Sequence, residues 1–568
     1  MVASLTRALG VVQRIPNPRL LAPLLVVAYT LKTTLGILGT FDVGLDDETI
    51  YLDGARYLGI HFLPLAESSP LYPRWYRLLT IFEPDPLHLY FLNWLVLTTS
   101  LPLVLYALAR RSGAPLWAAS VAAMAWAGSS SILSWPHVSM FATLVLGVGA
   151  LATTFTEDAR FSGAIAAATL STAALARAEL ALPAIAFCAF YIVYALVFAL
   201  RRKNPCPTRK RALIGAGIAI AAPFALRLLV GSTANPFAHG REFFAFGQHY
   251  ALNIVESRRL PLDPWTNWFP IAREAFPKAE SVAEAARENP HAFLWHVGRN
   301  VSNVRFAFEE LLTPLPHLGK LLEWMVIVPL GAVLLLGVVG CFRLRGSGSR
   351  LLRWIPLAAA VACATAASMV LIYPRPHYAL ALCYLLVAAL AGACGNLHGI
   401  LPWAPPSSRL VHRGQIALVV ALALFLTAAP TRRPGAAPSL LSAAVPPPPQ
   451  SSRENYAAIL ALRRLALAGR VVILESDHSR GVYALADYLR IAQGEKDKPF
   501  WEFIHSREVN LIVLNERLRR DSRFETDPEF VAFINRTGPL EDFEFLPVEG
   551  TSVVLAVRRP LLASGRAR

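Results

Sequence analysis

The sequence predicts a polytopic α-helical membrane protein of about eleven transmembrane helices, with a small extracytoplasmic α/β domain at its C-terminus. Three observations carry that prediction. Charged residues make up 16% of the 568-residue chain and hydrophobic ones 55%, against roughly 25% and 45–50% in a soluble globular protein. The apolar residues gather in blocks of about 17–22, the length that crosses about 30 Å of hydrocarbon at 1.5 Å per residue. Beyond a proline-rich stretch near the C-terminus the blocks stop, and short apolar runs alternate with helical patterns.

The spans are expected near residues 20–40, 87–109, 114–133, 138–156, 161–177, 181–200, 211–230, 321–342, 354–373, 378–397 and 414–430. Lys and Arg collect in short connections, and such loops stay cytoplasmic. Arg7, Arg14 and Arg19 precede the first block; Arg110-Arg111, RRKNPCPTRKR at 201–211, RLRGSGSRLLR at 343–353 and His412-Arg413 follow. Eleven spans put all of these on one side, so residues 41–86, 231–320 and everything after about 431 are expected outside. The first block is a full span without a small-residue cleavage site, so it reads as a helix rather than a removed signal. The localisation implied is a plasma membrane, the bacterial inner membrane.

The domain reading is 1–430 for the membrane domain, 431–452 for a Pro-rich linker and 453–568 for the α/β domain. In that last domain RVVILES (470–476) and NLIVLN (510–515) read as strands, and GVYALADYLRIA (481–492) as a helix. PEFVAFINRTG reads as a helix stopped by its glycine, and FEFLPVEGTSVVLAVRR as a closing hairpin. Asp477-His478, after a strand end, reads as a cap of the following helix more readily than as a site.

The net charge of +16 comes mainly from the cytoplasmic loops and the tail arginines. Anionic lipid headgroups are a sufficient partner for it, and nucleic acid is excluded for want of a basic surface interleaved with exposed aromatics. None of the six cysteines falls in an outside segment, so neither disulfides nor a thiolate zinc site is indicated.

Chemistry is expected in GLDDETIYLDGARYLG, residues 44–59, which with Asp42 brings Asp42, Asp46, Asp47, Glu48 and Asp53 within a dozen residues. Asp46 or Asp47 suits the N-cap of a short helix, and Glu48 its first turn. Tyr51, Ala55 and Leu58 recur at helical spacing, so their face is expected on the bilayer surface. Capping alone does not call for neighbouring carboxylates beside an anionic membrane. Grouped carboxylates repel, which favours a bound cation or a proton-accepting role.

Asp47-Glu48-x-x-Tyr51-x-x-x-Ala55-Arg56 resembles the Asp-Glu…Tyr…Ala-Arg pattern in the first outside loop of membrane glycosyltransferases of the C-type fold. The nearest likeness is to the protein O-mannosyltransferase and aminoarabinose-transferase branch. Glu67-Ser68-Ser69-Pro70-Leu71-Tyr72 resembles the later Glu-Lys-Pro-Pro-Leu-Tyr part of that loop. Arg177-Ala178-Glu179 resembles an Arg-Pro-Glu element, and Pro374-Arg375-Pro376-His377-Tyr378 a Pro-Arg-x-x-Tyr element. The order and sidedness of these motifs extend the likeness over the whole chain. Ser68 and Ile50 depart from it, where relatives often carry a lysine and some an arginine that meet the lipid phosphate.

The resemblance implies a polyprenyl-phosphate sugar donor and a lipid, glycan or protein acceptor. Asp47 is the candidate general base, with Asp46 and Glu48 as alternates, and Tyr51, Glu67 and Tyr72 belong to the substrate motifs. Charge grows on the leaving phosphate, and Arg56, Arg74, Arg177, Arg375 and His377, all at the expected outer surface, are candidate counter-charges. Taken singly, each arginine reads more readily as a snorkelling anchor at a span end. Asp47 and Glu67 are candidate ligands of a divalent cation through hard oxygens; the cofactor itself is left unassigned. Trp265, Trp268 and Trp295 in the second outside segment read as interfacial belt residues before sugar-stacking ones. A secondary transporter would need charges at mid-span and repeated halves, which are not seen. A non-catalytic scaffold, or a glycan ligase or polymerase, stays as an alternative.

Overall fold

The computed structural model describes residues 18–34, 41–45, 47–58, 69–133, 135–200, 206–230, 241–312, 319–341, 350–395, 453–465, 467, 469–476 and 479–563. By its contacts the chain divides into two units. The first is Met1–Gly39, Ala66–Tyr72 and Trp94–Pro446; the second joins Thr40–Leu65 and Pro73–Asn93 to Pro447–Arg568.

Helices coincide with ten of the expected spans: Pro18–Thr34, Pro86–Arg111, Leu116–Ala127, Val138–Thr153, Ala159–Ala174, Ala181–Leu200, Cys206–Val230, Gly319–Cys341, Ile355–Leu371 and Pro376–Ala393. Among the described residues four stretches are long and apolar enough to cross a membrane: Pro86–Arg111, Ala178–Leu200, Arg209–Leu228 and Pro376–Ala393. The others are shorter or less apolar, and the expected span 414–430 lies outside the described residues. Large side chains such as Leu182, Phe190, Phe224 and Leu228 are more than 60% exposed on two of the four. A continuous apolar face of that kind is costly in water and natural against lipid. Helix ends follow local chemistry. Asp158 accepts from the Arg160 amide at 3.0 Å to start Ala159–Ala174, and Pro376 occupies the first turn of its helix, where no amide is needed. Gly337 and Gly340 let Gly319–Cys341 press against the backbone of Pro376–Ala393. A Cβ on Gly340 would stand 2.2 Å from the Ala393 carbonyl oxygen.

Residues 241–312 of the first unit form helices Arg241–Arg258, Pro264–Ala275, Val282–Glu288 and Pro290–Leu312 around buried Phe243, Phe246, Tyr250 and Phe276. Inside them Asn253 donates to Asn300 Oδ1 at 2.8 Å, and Asn300 to the Val370 carbonyl at 3.0 Å. These bonds tie the helices together, while Asn253 Oδ1 has no partner among the described residues.

The second unit carries a five-stranded sheet, β1 Val471–Glu475, β2 Tyr488–Ala492, β3 Leu511–Leu514, β4 Phe543–Pro547 and β5 Val554–Arg558, in the order β2-β1-β3-β5-β4. β2 and β3 run parallel to β1, while β5 is antiparallel to both β3 and β4. Period-two alternation divides the apolar residues between two layers. Ile473, Leu511, Val513 and Leu555 meet Ala458 and Leu462 of helix Glu454–Arg464. Leu474, Ile512 and Ala556 meet Phe500, Phe503, Phe530 and Phe533.

Three expectations need correction in this unit. GVYALADYLRIA is not one helix: only Gly481–Ala484 is helical, and Tyr488–Ala492 is the edge strand β2. Tyr488, Arg490 and Ala492 alternate with Leu489 and Ile491, so the run also has period two, and pairing with β1 decides. Helix Pro528–Asn535 ends not on its glycine but on Arg536, which takes the left-handed conformation at φ 58°. The face of Tyr51 and Ala55, expected on the bilayer, is buried, at 6% and 2% exposure. Asp477-His478 lies outside the described residues.

Candidate functional site

In the first unit, residues from well-separated segments meet. Arg177 follows Ala159–Ala174 in extended conformation; its Nε donates to Glu179 Oε1 at 2.5 Å, and its guanidinium lies 5.1 Å from the Tyr378 ring centre. Arg375 is extended at φ −96°, ψ 146°, as a residue before proline must be. Its guanidinium stands 4.7 Å over the ring of Trp265. His377, two residues on, lies ring to ring with His137, centroids 4.6 Å apart.

His137 was not singled out from sequence. It caps Val138–Thr153, its Nδ1 accepting from the Ser139 amide at 3.0 Å. The surrounding protein, then the guanidiniums of Arg177 and Arg375, lower its pKa to about 3. The ring is therefore neutral, and with Nδ1 accepting, Nε2 carries the hydrogen. Two guanidiniums and an imidazole N–H thus lie near His377, the Arg177 guanidinium already paired with the Glu179 carboxylate. Arg177, Glu179, Ser139, Ser368, His377 and Tyr378 are among the residues lining a pocket of about 30 Å³. That is room for a water or two. Tyr72, fully buried, packs its ring 5.3 Å from that of Phe141, on the helix His137 caps.

His249 is a second residue the sequence left unassigned. It is 5% exposed, stacks on Tyr373 at 5.3 Å and meets the edge of Trp265 at 5.6 Å. Burial first, then Arg375, lowers its pKa to about 3. Trp265 therefore contacts both His249 and Arg375, whereas Trp268 packs on Phe244 and Trp295 on Tyr250.

In the second unit, helix Asp47–Tyr57 begins with the two acidic residues that suit its dipole. Asp47 is exposed, and Glu48, one residue on, is 2% exposed. Tyr76 donates to Glu48 Oε1 at 2.5 Å and Asn93 Nδ2 reaches it at 3.4 Å, while Trp75 Nε1 donates to Asn93 Oδ1 at 2.7 Å. Glu48 thus anchors the helix and Asp47 faces solvent. Arg56 Nη1 donates to the Leu485 carbonyl at 2.9 Å and Nη2 to that of Ala486, so its guanidinium is engaged with backbone rather than presented to a phosphate. Arg74 is half-buried on helix Leu71–Leu79. Asp46 and Glu67 lie outside the described residues, and among the described residues no three His, Cys, Asp or Glu groups gather as metal ligands.

No protein-family model matches the chain, and no curated protein matches it. Among solved structures it is similar to ArnT from Cupriavidus metallidurans in the apo state. The identity is 13%, the match covers 95% of this chain and 98% of the other, and the TM-score is 0.38. A TM-score that low does not establish a shared fold.

Proposed function

We propose that the protein is a membrane glycosyltransferase that moves a sugar from a polyprenyl-phosphate donor to an acceptor on the extracytoplasmic face. The reading rests on the order of the loop motifs and on one structural observation: Arg177, Arg375 and His377, chosen from sequence as phosphate contacts, converge, with His137 added. In a transfer the acceptor hydroxyl loses a proton as it attacks the anomeric carbon, and the bond to the lipid phosphate breaks. Asp47, exposed at the start of its helix, takes the proton. The guanidiniums and the His137 N–H stabilise charge on the departing phosphate, in a site where fixed donors need no reorganisation. Tyr51 and Tyr72, from the substrate motifs, are both buried. Eleven spans, with the first loop and the α/β domain outside, give this chemistry its membrane-borne donor.

The phosphate contact is testable by itself. Polyprenyl phosphate binding to the detergent-solubilised protein is expected to weaken at least tenfold in Arg375→Ala and in Arg177→Ala, and less in Arg375→Lys. Unchanged binding in both alanine variants would remove this cluster from the donor site.

A further inference from the structure

Helix Asp47–Tyr57 has 11 residues, too few to be stable alone in water. Beside the anchoring of Glu48 by Tyr76 and Asn93, it is held by a set of contacts with segments more than 400 positions away in the chain. Tyr488, the first residue of β2, donates its phenolic hydrogen to Asp53 Oδ1 at 3.0 Å. Arg56 donates to the carbonyls of Leu485 and Ala486, at the end of the crossover from β1 to β2, and its guanidinium lies 5.9 Å from the Tyr488 ring centre. Ahead of the helix, Asp42 caps Glu454–Arg464 across the same long separation. Its Oδ2 accepts from the Asn455 amide at 3.0 Å and its Oδ1 from that of Tyr456 at 2.8 Å. Asn455 Nδ2 returns a bond to the Val43 carbonyl at 2.8 Å. Asn455 is held by Arg480 Nη2 at 2.6 Å, and Arg480 by buried Glu475 at 2.9 Å.

Helical rotation gives these contacts their meaning. At 3.6 residues per turn, Asp53 and Arg56 share a side of the helix, and Arg56 lies about 180° around from Asp47. The α/β domain therefore grips the side opposite the candidate base. We infer that Tyr488, Asp53 and Arg56 are positioning residues: through them the C-terminal domain sets the rotation of the helix that presents Asp47. This rests on the reading of Asp47 as the base. It assigns the α/β domain a part in catalysis without contact with substrate.

The test uses the full chain in nanodiscs, with two readouts: amide hydrogen exchange across residues 47–57, and transfer kinetics. Tyr488→Phe and Asp53→Ala are expected to speed exchange across 47–57 and to lower kcat, each about tenfold, with KM for the lipid donor within twofold of wild type. Asp53→Asn, which keeps an acceptor for the phenol, is expected to restore most of both. The Tyr488→Phe/Asp53→Ala double variant should be no worse than either single change, because one bond is lost in each. A rise in donor KM at constant kcat would mean that Asp53 meets the donor, and would overturn the inference. Unchanged exchange and kcat would overturn it as well. If wild type transfers nothing, the glycosyltransferase reading fails, and faster exchange in the two variants still supports the clamp while unchanged exchange still overturns it.

Discussion

His137 and His377, 240 positions apart in the chain, lie ring against ring with centroids 4.6 Å apart and planes 30° from parallel. Burial, then Arg177 and Arg375, holds His137 at a pKa of about 3, so it stays neutral at every pH the cell presents. In the unfolded chain it protonates near 6.5. The folded value is the lower one, so the stability this histidine contributes is complete above pH 6.5 and lost as pH falls toward 3. The unfolding temperature is expected to drop steadily from pH 7 to pH 4, with a shallower slope in His137→Asn, which keeps the capping acceptor. Equal slopes would assign the pH dependence to other groups, His249 foremost.

Glu48 is expected to be a stability residue. Replacing it by alanine leaves the hydroxyl of fully buried Tyr76 without its carboxylate, at a cost of about 1–3 kcal/mol. Thermal unfolding of the purified protein should show the loss in Glu48→Ala and a smaller one in Glu48→Gln, which can still accept the Tyr76 hydrogen.

The ion pair of Glu475 and Arg480, 0% and 2% exposed at side-chain level, is the most deeply buried charge pair among those described. Removing one partner strands the other charge in the interior, typically about 3–5 kcal/mol. Arg480→Ala is expected to make the C-terminal segment protease-sensitive at temperatures where wild type resists. A variant with both changed to hydrophobic residues of similar volume should recover part of that resistance.

Gly340→Leu is expected to abolish accumulation of folded protein in the membrane, since the space above Gly340 is filled by the Ala393 carbonyl. Gly331→Ala, on the same helix with nothing within 4 Å of its Cβ position, is the control and should accumulate normally.

The helices were legible because apolar blocks and their caps are local properties. Even the short span expected at 161–177 is a helix, started by Asp158. Their number as membrane crossings was not, since Leu116–Ala127 is only 12 residues long and crossing depends on more than the run of apolar residues. In the α/β domain Tyr488–Ala492 fits both a helical and a period-two pattern, and only the partner strand distinguishes them. The site was legible in part. Arg177, Arg375 and His377 stood out because motifs and span ends mark them. His137 and His249 did not, because their roles come from contacts with residues over 100 positions away. Asp47 and Glu48 looked equivalent in sequence, and burial against Tyr76 and Asn93 separates them.

The most direct measurement is sugar transfer in membrane vesicles, with a panel of polyprenyl-phosphate sugars supplied to wild type and to Asp47→Asn. Asparagine keeps the size of the side chain and its fit to the helix start, and removes the proton-accepting carboxylate. Transfer by wild type and none by an equally folded Asp47→Asn variant is the predicted result. Equal transfer by the two would contradict Asp47 as the base, and no transfer from any donor by folded wild type would contradict the glycosyltransferase itself.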